Sequence, residues 1–213
     1  MIARVSCLVL ALCAVALAGC AQNVSAREQY VLQVTRNLEP LEARLGATLE
    51  VRRLTIDAAF AAKSLVYRLR EFEYEADYYR EFLVPPAVLI TEQTREWLSA
   101  SGLFAEVVPP GSRVHPTYTL EGNVTALYGD FRTESASAAV LEIRYFLLKN
   151  GDPKETILFA ETYRVREPLP AKSPEALVRA FNKALAGTLD RLETDLQQAL
   201  GAGRGESARA GEP

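Results

Sequence analysis

Residues 118–166, YTLEGNVTALYGDFRTESASAAVLEIRYFLLKNGDPKETILFAETYRVR, contain three long segments in which apolar and polar side chains alternate. The segments cover 118–128, 138–149 and 156–166. This alternation is typical of antiparallel strands with one covered face and one solvated face. The side chains predicted to share the covered face of the first segment are Tyr118, Leu120, Val124 and Ala126. These three strands predict the centre of a sheet.

Shorter strand signals precede this region. Residues 49–57 predict a strand whose apolar phase changes, and a bulge near Arg52 and Arg53 would restore the phase. Residues 64–70 and 71–76 alternate in turn and predict a hairpin, and 103–108 predicts a further short strand.

Two segments have helical spacing of their apolar residues. The first starts at Pro85 and Pro86, where proline is tolerated, and ends before Gly102, a residue suited to a left-handed cap. The second has Ser173 as its N-cap and is predicted to end at Gly201. Each helix has a single apolar stripe, so each must cover a sheet face. We therefore expect a single α+β domain, with a mixed, mostly antiparallel sheet packed with two main helices.

The amino-terminal residues predict secretion and lipid attachment. Arg4 is followed by an uncharged apolar run from Val5 to Ala18, too short to cross a bilayer, and then by Gly19 and Cys20. This order resembles a bacterial lipoprotein signal, in which the cysteine thiol is acylated and the chain is cut before it. Alternatives are an uncleaved signal anchor or a plainly secreted protein. Ala21 is not an aspartate, which favours the outer membrane, with the domain on its periplasmic face.

The same signal divides the chain into four parts. Residues 1–19 form the predicted signal peptide, 20–29 a lipidated tether, 30–200 the folded domain and 201–213 a disordered tail with few apolar residues. Cys7 and Cys13 lie inside the removed segment, so the mature chain would keep Cys20 alone. Cleavage would change the net charge from −3 to −4, which provides no electrostatic basis for nucleic-acid binding.

The sequence offers little chemistry for catalysis. His115 is the single histidine and precedes Pro116, so it cannot pair with a second histidine to form an ordinary zinc site. Nucleophile elbows, phosphate loops and dinucleotide fingerprints are absent from the sequence. We therefore predict a protein that is not an enzyme and has no metal or cofactor.

Residues 67–82, YRLREFEYEADYYREF, form the most unusual stretch, with four tyrosines among arginines and acids. Tyrosine and arginine are favoured at interface hot spots, so a partner-binding surface is one interpretation. The other is a hairpin whose rings cover the sheet while its charges are solvated. The candidate partner-binding residues are Tyr67, Arg68, Tyr74, Tyr78 and Arg80.

A wider set of positions, beginning in this stretch and running on through the first predicted helix, carries a family resemblance. The positions are Leu65-Val66-Tyr67-Arg68, Tyr74, Tyr78, Tyr79, Phe82, Pro86, Trp97-Leu98, Ser101-Gly102-Leu103-Phe104 and Val107. Their order resembles the ABC-type transport auxiliary lipoproteins, and the resemblance extends over nearly all of the predicted mature chain.

The resemblance implies a non-enzymatic outer-membrane lipoprotein. Such a protein would dock the MCE (mammalian cell entry) protein of an ABC transport system that moves lipids across the periplasm, and would act as a homo-oligomer. Only Cys20 takes a defined role from the family. The alternatives are a structural or regulatory envelope lipoprotein, such as an activator of a cell-wall enzyme, and a carrier holding lipid in its own cavity.

Overall fold

The computed structural model describes residues 26–37, 39–41, 45–151 and 154–209, and the side chains up to Gly201. In this part of the chain, nine strands form one mixed sheet that packs with two main helices in a single domain, as predicted. The strands are β1 (Glu28–Tyr30), β2 (Leu45–Val51), β3 (Thr55–Ile56), β4 (Ser64–Arg68), β5 (Tyr74–Phe82), β6 (Phe104–Val108), β7 (Tyr118–Asp130), β8 (Ala138–Lys149) and β9 (Thr156–Pro168). The helices are α1 (Pro86–Ser101) and α2 (Pro174–Arg209).

The long strand β7 organises the sheet. One of its edges pairs with β8 along its full length, and β8 pairs with β9, both antiparallel. Its other edge receives β2, β3 and β4 one after another, all parallel to it. From there the sheet divides into two wings, one adding β6 beside β2 and the other adding β5 and then β1 beside β4. The sheet therefore ends in β9 on one side and in β6 and β1 on the other.

Both helices follow the sequence prediction at their starts. The Ser173 hydroxyl accepts a hydrogen bond from the Ala176 N–H at 3.2 Å, as an N-cap should. The apolar stripes of both helices are buried, with Ile90, Trp97 and Leu98 on α1 packed into the core. Helix α2 runs past Gly201, where we expected its end, and extends to Arg209.

Gly102 ends α1 for two reasons. Its φ of 71° is left-handed, as the sequence predicted. In addition, a Cβ built on it would lie 2.1 Å from the Leu41 carbonyl oxygen, so the backbone approach leaves no room for a side chain. The Leu41 N–H donates to the Ser101 carbonyl at 2.7 Å and fixes that approach.

A buried ion pair binds the segment between β1 and β2 to the helices. The guanidinium of Arg36 donates to both carboxylate oxygens of Glu193 at 2.9 Å, and the indole N–H of Trp97 donates to Oε2 of the same carboxylate at 2.9 Å. The Arg36 and Glu193 side chains are 5% and 8% exposed. The Glu193 hydrogen bond is the largest cause that raises the pKa of Arg36, and burial opposes it. We call these three side chains the buried clasp.

Three strand predictions need correction. Residues 49–57 do not form one bulged strand. Strand β2 ends at Val51, and a separate short strand, β3, pairs with β7 from Thr55. The predicted strand 71–76 begins three residues late, since the Leu69 N–H donates to the Glu73 carbonyl at 2.9 Å in the hairpin turn and β5 starts at Tyr74. In β7 a bulge at Thr125 flips the phase, so that Leu127, rather than Ala126, pairs with Leu141.

Candidate functional site: the aromatic hairpin

Strands β4 and β5 form a hairpin that presents large apolar side chains to solvent. We call this set the hairpin surface. Its members, with their exposed fractions, are Phe72 (89%), Tyr74 (45%), Tyr78 (69%), Tyr79 (46%) and Leu83 (48%). Exposed tyrosines in one place are typical of a protein-binding surface, since tyrosine supplies apolar area together with a polar group.

A wide bulge in β5 produces this exposure. On β4 a single residue, Leu65, separates the paired positions Ser64 and Val66, whereas their partners on β5 are Glu81 and Ala76. Residues 77–80 therefore have no partner on β4, and the exposed side chains of Tyr78 and Tyr79 project from this part of β5. We call residues 77–80 the aromatic bulge, because Tyr78 and Tyr79 lie within it, with ring centroids 5.1 Å apart in an edge-to-face arrangement.

Asp77 holds the bulge in shape. Its Oδ1 accepts the backbone N–H groups of Tyr79 at 2.9 Å and Arg80 at 3.0 Å, and its Oδ2 accepts the Tyr67 hydroxyl at 2.9 Å. Burial alone would raise the pKa of Asp77. These hydrogen bonds outweigh burial and hold the pKa below its usual value, so the carboxylate is charged at neutral pH.

Two of the five candidate residues pack into the hairpin. Tyr67 is half-buried and stacks on Phe131 with ring centroids 5.3 Å apart. The Arg68 guanidinium lies 5.4 Å from the Tyr74 ring centroid and donates to the Glu71 carbonyl at 2.6 Å. Both therefore shape the hairpin.

The other three candidates differ in how much they offer to a partner. Tyr78 is open to solvent, whereas Tyr74 packs one ring edge against Tyr128, with centroids 5.4 Å apart. Arg80 is bound on both sides, since it lies 3.2 Å from Glu28 on β1 and 3.5 Å from Asp77. The sequence interpretation did not select Phe72, Tyr79 or Leu83. The spacing of Asp77 before two tyrosines was the available signal, since aspartate commonly accepts backbone N–H groups two residues on.

The bulge also lies beside the point where the folded chain begins. The Arg27 guanidinium is 5.1 Å from the Tyr78 ring centroid, and β1 pairs parallel to β5 at Glu28↔Arg80. Cys20 and the rest of residues 1–25 lie outside the described residues, so the lipidation site itself has no described geometry. Six residues lie between Cys20 and Arg27, and the seven residue-to-residue steps of an extended chain span at most ~25 Å.

A second polar centre supports the end of the hairpin. Asp130, 1% exposed, lies beside Arg68 in the β4–β7 register. It accepts hydrogen bonds from Arg132 at 2.9 and 2.8 Å and also binds Arg166. The Arg132 hydrogen bonds, opposed by burial and reinforced by Arg166, hold the pKa of Asp130 far below its usual value.

Other kinds of site lack support in the described part of the chain. No group of three or more histidine, cysteine or carboxylate side chains there is placed to hold a metal ion. His115 lies exposed in the loop before β7. None of the described helices combines the length and the hydrophobicity that a bilayer crossing requires.

Comparison with known families agrees with this architecture. Residues 30–193 match the family model described as the ABC-type transport auxiliary lipoprotein component. The chain belongs to this family. This match confirms the resemblance seen in the motifs between Leu65 and Val107. Members of this family are auxiliary lipoprotein components of ABC-type transport systems. Among curated proteins, none matches the sequence significantly.

Solved structures show that the auxiliary lipoprotein shares its fold with other proteins. The crystal structure of protein XCC0632 from Xanthomonas campestris is similar with a TM-score of 0.69 at 20% identity, covering 85% of this chain and 99% of that chain. A second crystal structure, of an uncharacterized protein, has a TM-score of 0.61 at 14% identity and covers 80% of this chain and 99% of that one. At these identities the likeness describes the fold alone.

Proposed function

We propose that this auxiliary lipoprotein is a non-enzymatic outer-membrane protein that docks the MCE protein of an ABC-type lipid transport system. Lipid on Cys20 would anchor it, with the domain on the periplasmic face. The signal ending in Cys20, the residue Ala21 and the family membership support the anchor and the transport role. We further propose that it works as a homo-oligomer.

The aromatic bulge is the observation that carries the docking role. Two tyrosine rings project from a bulge that Asp77 fixes with three hydrogen bonds, so the surface is formed before a partner arrives. A preformed surface loses less conformational entropy on binding than a flexible one. The backbone of Arg27, whose guanidinium lies beside Tyr78, is at most about 25 Å from Cys20 along the chain, so this surface would meet a partner that reaches the membrane.

Co-purification tests the docking role. The full-length lipoprotein and the MCE protein of the same transport system are expressed together and extracted in detergent. We expect the double variant Tyr78→Ser, Tyr79→Ser to lose most of the recovered MCE protein, because two exposed rings leave the interface. Val114→Ser, which removes an apolar side chain that is 50% exposed in the loop before β7, is the control, and the full amount of MCE protein should be recovered with it.

Membrane fractionation tests the anchor separately. Cys20→Ala should leave the protein out of the outer membrane and abolish transport, whereas the tyrosine double variant should still reach the outer membrane. Unchanged MCE recovery by the tyrosine variant would contradict the docking surface. A Cys20→Ala protein that stays in the outer membrane with full transport would contradict the anchor.

A further inference from the structure

The turn between β4 and β5, residues 69–73, presents the most exposed large apolar side chain in the described part of the chain. We call these five residues the hairpin tip. Phe72 within the tip is 89% exposed. Tight turns favour glycine, proline, asparagine, aspartate and serine, and the tip sequence, Leu-Arg-Glu-Phe-Glu, contains none of them. The requirements of the turn therefore do not explain a phenylalanine at this place.

The tip has a fixed shape. The Leu69 N–H donates to the Glu73 carbonyl at 2.9 Å and closes the turn. The Arg68 guanidinium donates to the Glu71 carbonyl at 2.6 Å. The backbone on both sides of Phe72 is therefore held, and the ring is presented to solvent without the entropy loss that a flexible loop would suffer on binding.

The chain enters β1 from the side of the tip. Strand β5 begins at Tyr74, directly after the tip, and runs away from it. Strand β1 pairs parallel to β5, with Glu28 opposite Arg80, so β1 also runs away from the tip. The residue before β1 lies on the tip side of this pair, because the Arg27 guanidinium is 5.1 Å from the Tyr78 ring centroid.

The length of chain between Cys20 and β1 is close to the length of the hairpin. Along β5, the six residue steps from Arg80 back to Tyr74 cover at most ~20 Å. Along the tether, the eight steps from Glu28 back to Cys20 cover at most ~28 Å. A lipid on Cys20 can therefore reach the level of the tip, but the tether is only slightly longer than that distance. A bilayer that holds this lipid on the tip side lies close to Phe72.

The charges of the tip exclude an electrostatic membrane contact. The tip has one arginine and two glutamates, and Arg70 is bound to Glu73 by an ion pair. Anionic headgroups attract clusters of lysine and arginine, which are not present here. A contact between this tip and a bilayer would therefore depend on the Phe72 ring, at the depth where aromatic side chains are enriched. One ring binds weakly by itself, but a short tether gives it a high effective concentration at the surface.

We propose that the hairpin tip contacts the bilayer that holds the Cys20 lipid, with the Phe72 ring inserted at the level of the headgroups. This contact rests on the anchor at Cys20 proposed above. Lipid and ring together restrict the orientation of the domain, which a tether alone would leave free to rotate. Strand β7 runs parallel to β4 towards the tip, so its start at Tyr118 points away from the bilayer. The aromatic bulge lies between these ends and stays open to a partner protein.

Quenching of a fluorescent label beside Phe72 tests the proposal. The full-length lipoprotein is purified in detergent and reconstituted into vesicles of phosphatidylethanolamine and phosphatidylglycerol. Glu71→Cys carries the thiol label IAEDANS at the tip, and Val114→Cys carries it in the loop before β7. We expect quenching by acrylamide in the water to fall at least ~3-fold at position 71 on reconstitution, because the label enters the interface. Quenching at position 114 should stay unchanged.

Substitutions of Phe72 in the labelled Glu71→Cys chain show whether the ring makes the contact. Phe72→Ser should restore quenching at position 71, whereas Phe72→Trp, which keeps an aromatic ring, should retain the protection. Both variants should fold, because the Phe72 side chain is almost fully exposed. Protection should persist in about 0.5 M NaCl, since salt screens charged contacts and leaves apolar ones in place.

Two measurements on the unsubstituted chain test the anchor separately. This chain should float with the vesicles on a density gradient, and it should take up no thiol label, because the Cys20 thiol would be acylated. Failure to float, or uptake of label, would contradict the anchor and the tip contact with it. A chain that floats while position 71 is quenched as in water, or is protected equally with Phe72→Ser, would overturn the tip contact alone.

The alternative occupant of the tip is the partner protein. If the tip bound the MCE protein instead, Phe72→Ser would lower recovery of the MCE protein in co-purification, while the label at position 71 would be open to water in vesicles that hold the lipoprotein alone. That pair of results would assign the tip to the docking surface and overturn the bilayer contact.

Discussion

The buried clasp and the aromatic bulge are each built around one carboxylate that accepts several hydrogen bonds, but the two carboxylates have different structural roles. In each, one carboxylate accepts three or more hydrogen bonds, from Arg36 and Trp97 at Glu193 and from Tyr67, Tyr79 and Arg80 at Asp77. In the clasp all the partners are buried, so the contact binds separate elements into one core. In the bulge the partners include the backbone of exposed tyrosines, so the contact presents side chains to solvent. The difference indicates that one carboxylate stabilises the fold and the other shapes a surface.

Removing the clasp carboxylate should have the largest effect on stability. Glu193→Ala leaves the Arg36 guanidinium buried without its bidentate partner and the Trp97 N–H without its acceptor. Breaking a buried pair in this way costs about 3–5 kcal/mol in the free energy of unfolding. Urea denaturation measures the change. Glu92→Ala, which removes an exposed carboxylate paired with Arg95 on α1, is the control and should cost about 1 kcal/mol or less. Similar losses in the two variants would contradict the assignment.

Gly102→Ala tests whether the stability of the core also depends on the close approach of the Leu41 backbone to Gly102, in addition to the buried ion pair of the clasp. The left-handed φ costs an alanine about 1–2 kcal/mol, and contact with the Leu41 carbonyl adds to that cost. Gly187→Ala is the opposite case, because its Cβ has free space within a helix, and it should stabilise the protein by roughly 0.5–1 kcal/mol. Thermal unfolding followed by circular dichroism distinguishes the two signs.

Asp77 should give the bulge a pH dependence. Its pKa is lowered in the folded state, so its stabilisation is present above the ordinary aspartate pKa of about 3.9 and is lost as the pH falls through the folded pKa. Asp77→Asn should therefore unfold more easily than wild type at pH 7, by about 1–3 kcal/mol, and the difference should narrow in acid. Urea denaturation of both proteins at pH 7 and pH 3 measures this difference in the free energy of unfolding. The same difference at both pH values would show that the charge of Asp77 does not hold the bulge.

The smallest effect on stability is expected for the exposed rings themselves. Tyr78→Ser should change the free energy of unfolding by no more than about 0.5 kcal/mol, because the side chain is 69% exposed and packs mainly on Tyr79 and Arg27. Recovery of the MCE protein should nevertheless fall. A large stability loss in urea would place Tyr78 with the core rather than with the binding surface.

Much of the fold follows from local patterns. The alternation in 138–149 gave β8 its correct bounds, and the proline start and glycine stop of α1 are both correct, because each depends on residues close in sequence. Strand β1 has three residues and no pattern of its own, so it was not predicted. The bulges at Thr125 and in β5 depend on how two strands meet, and residues within a single strand do not reveal that.

The candidate surfaces were predictable to different degrees. The composition of 67–82 identified the hairpin and Tyr78. It could not show that Tyr67 is packed rather than exposed, because the ring that Tyr67 contacts, Phe131, is distant in sequence and follows the end of β7. The side from which the chain enters β1, and with it the place of Phe72 relative to the proposed anchor, had no sequence signal, since the pairing of β1 with β5 depends on the order of all the strands.

Under the anchor at Cys20 proposed above, the clasp also has a mechanical consequence. Any pull that arrives through Arg27 meets β1, whose short parallel pairing with β5 would offer little resistance by itself. The segment behind it is fastened by the Gln33 N–H to Asn182, by the Val34 N–H to Gln93 and by the Arg36 pair. A force applied at the amino terminus is therefore distributed over contacts with both helices before it can separate β1 from the sheet.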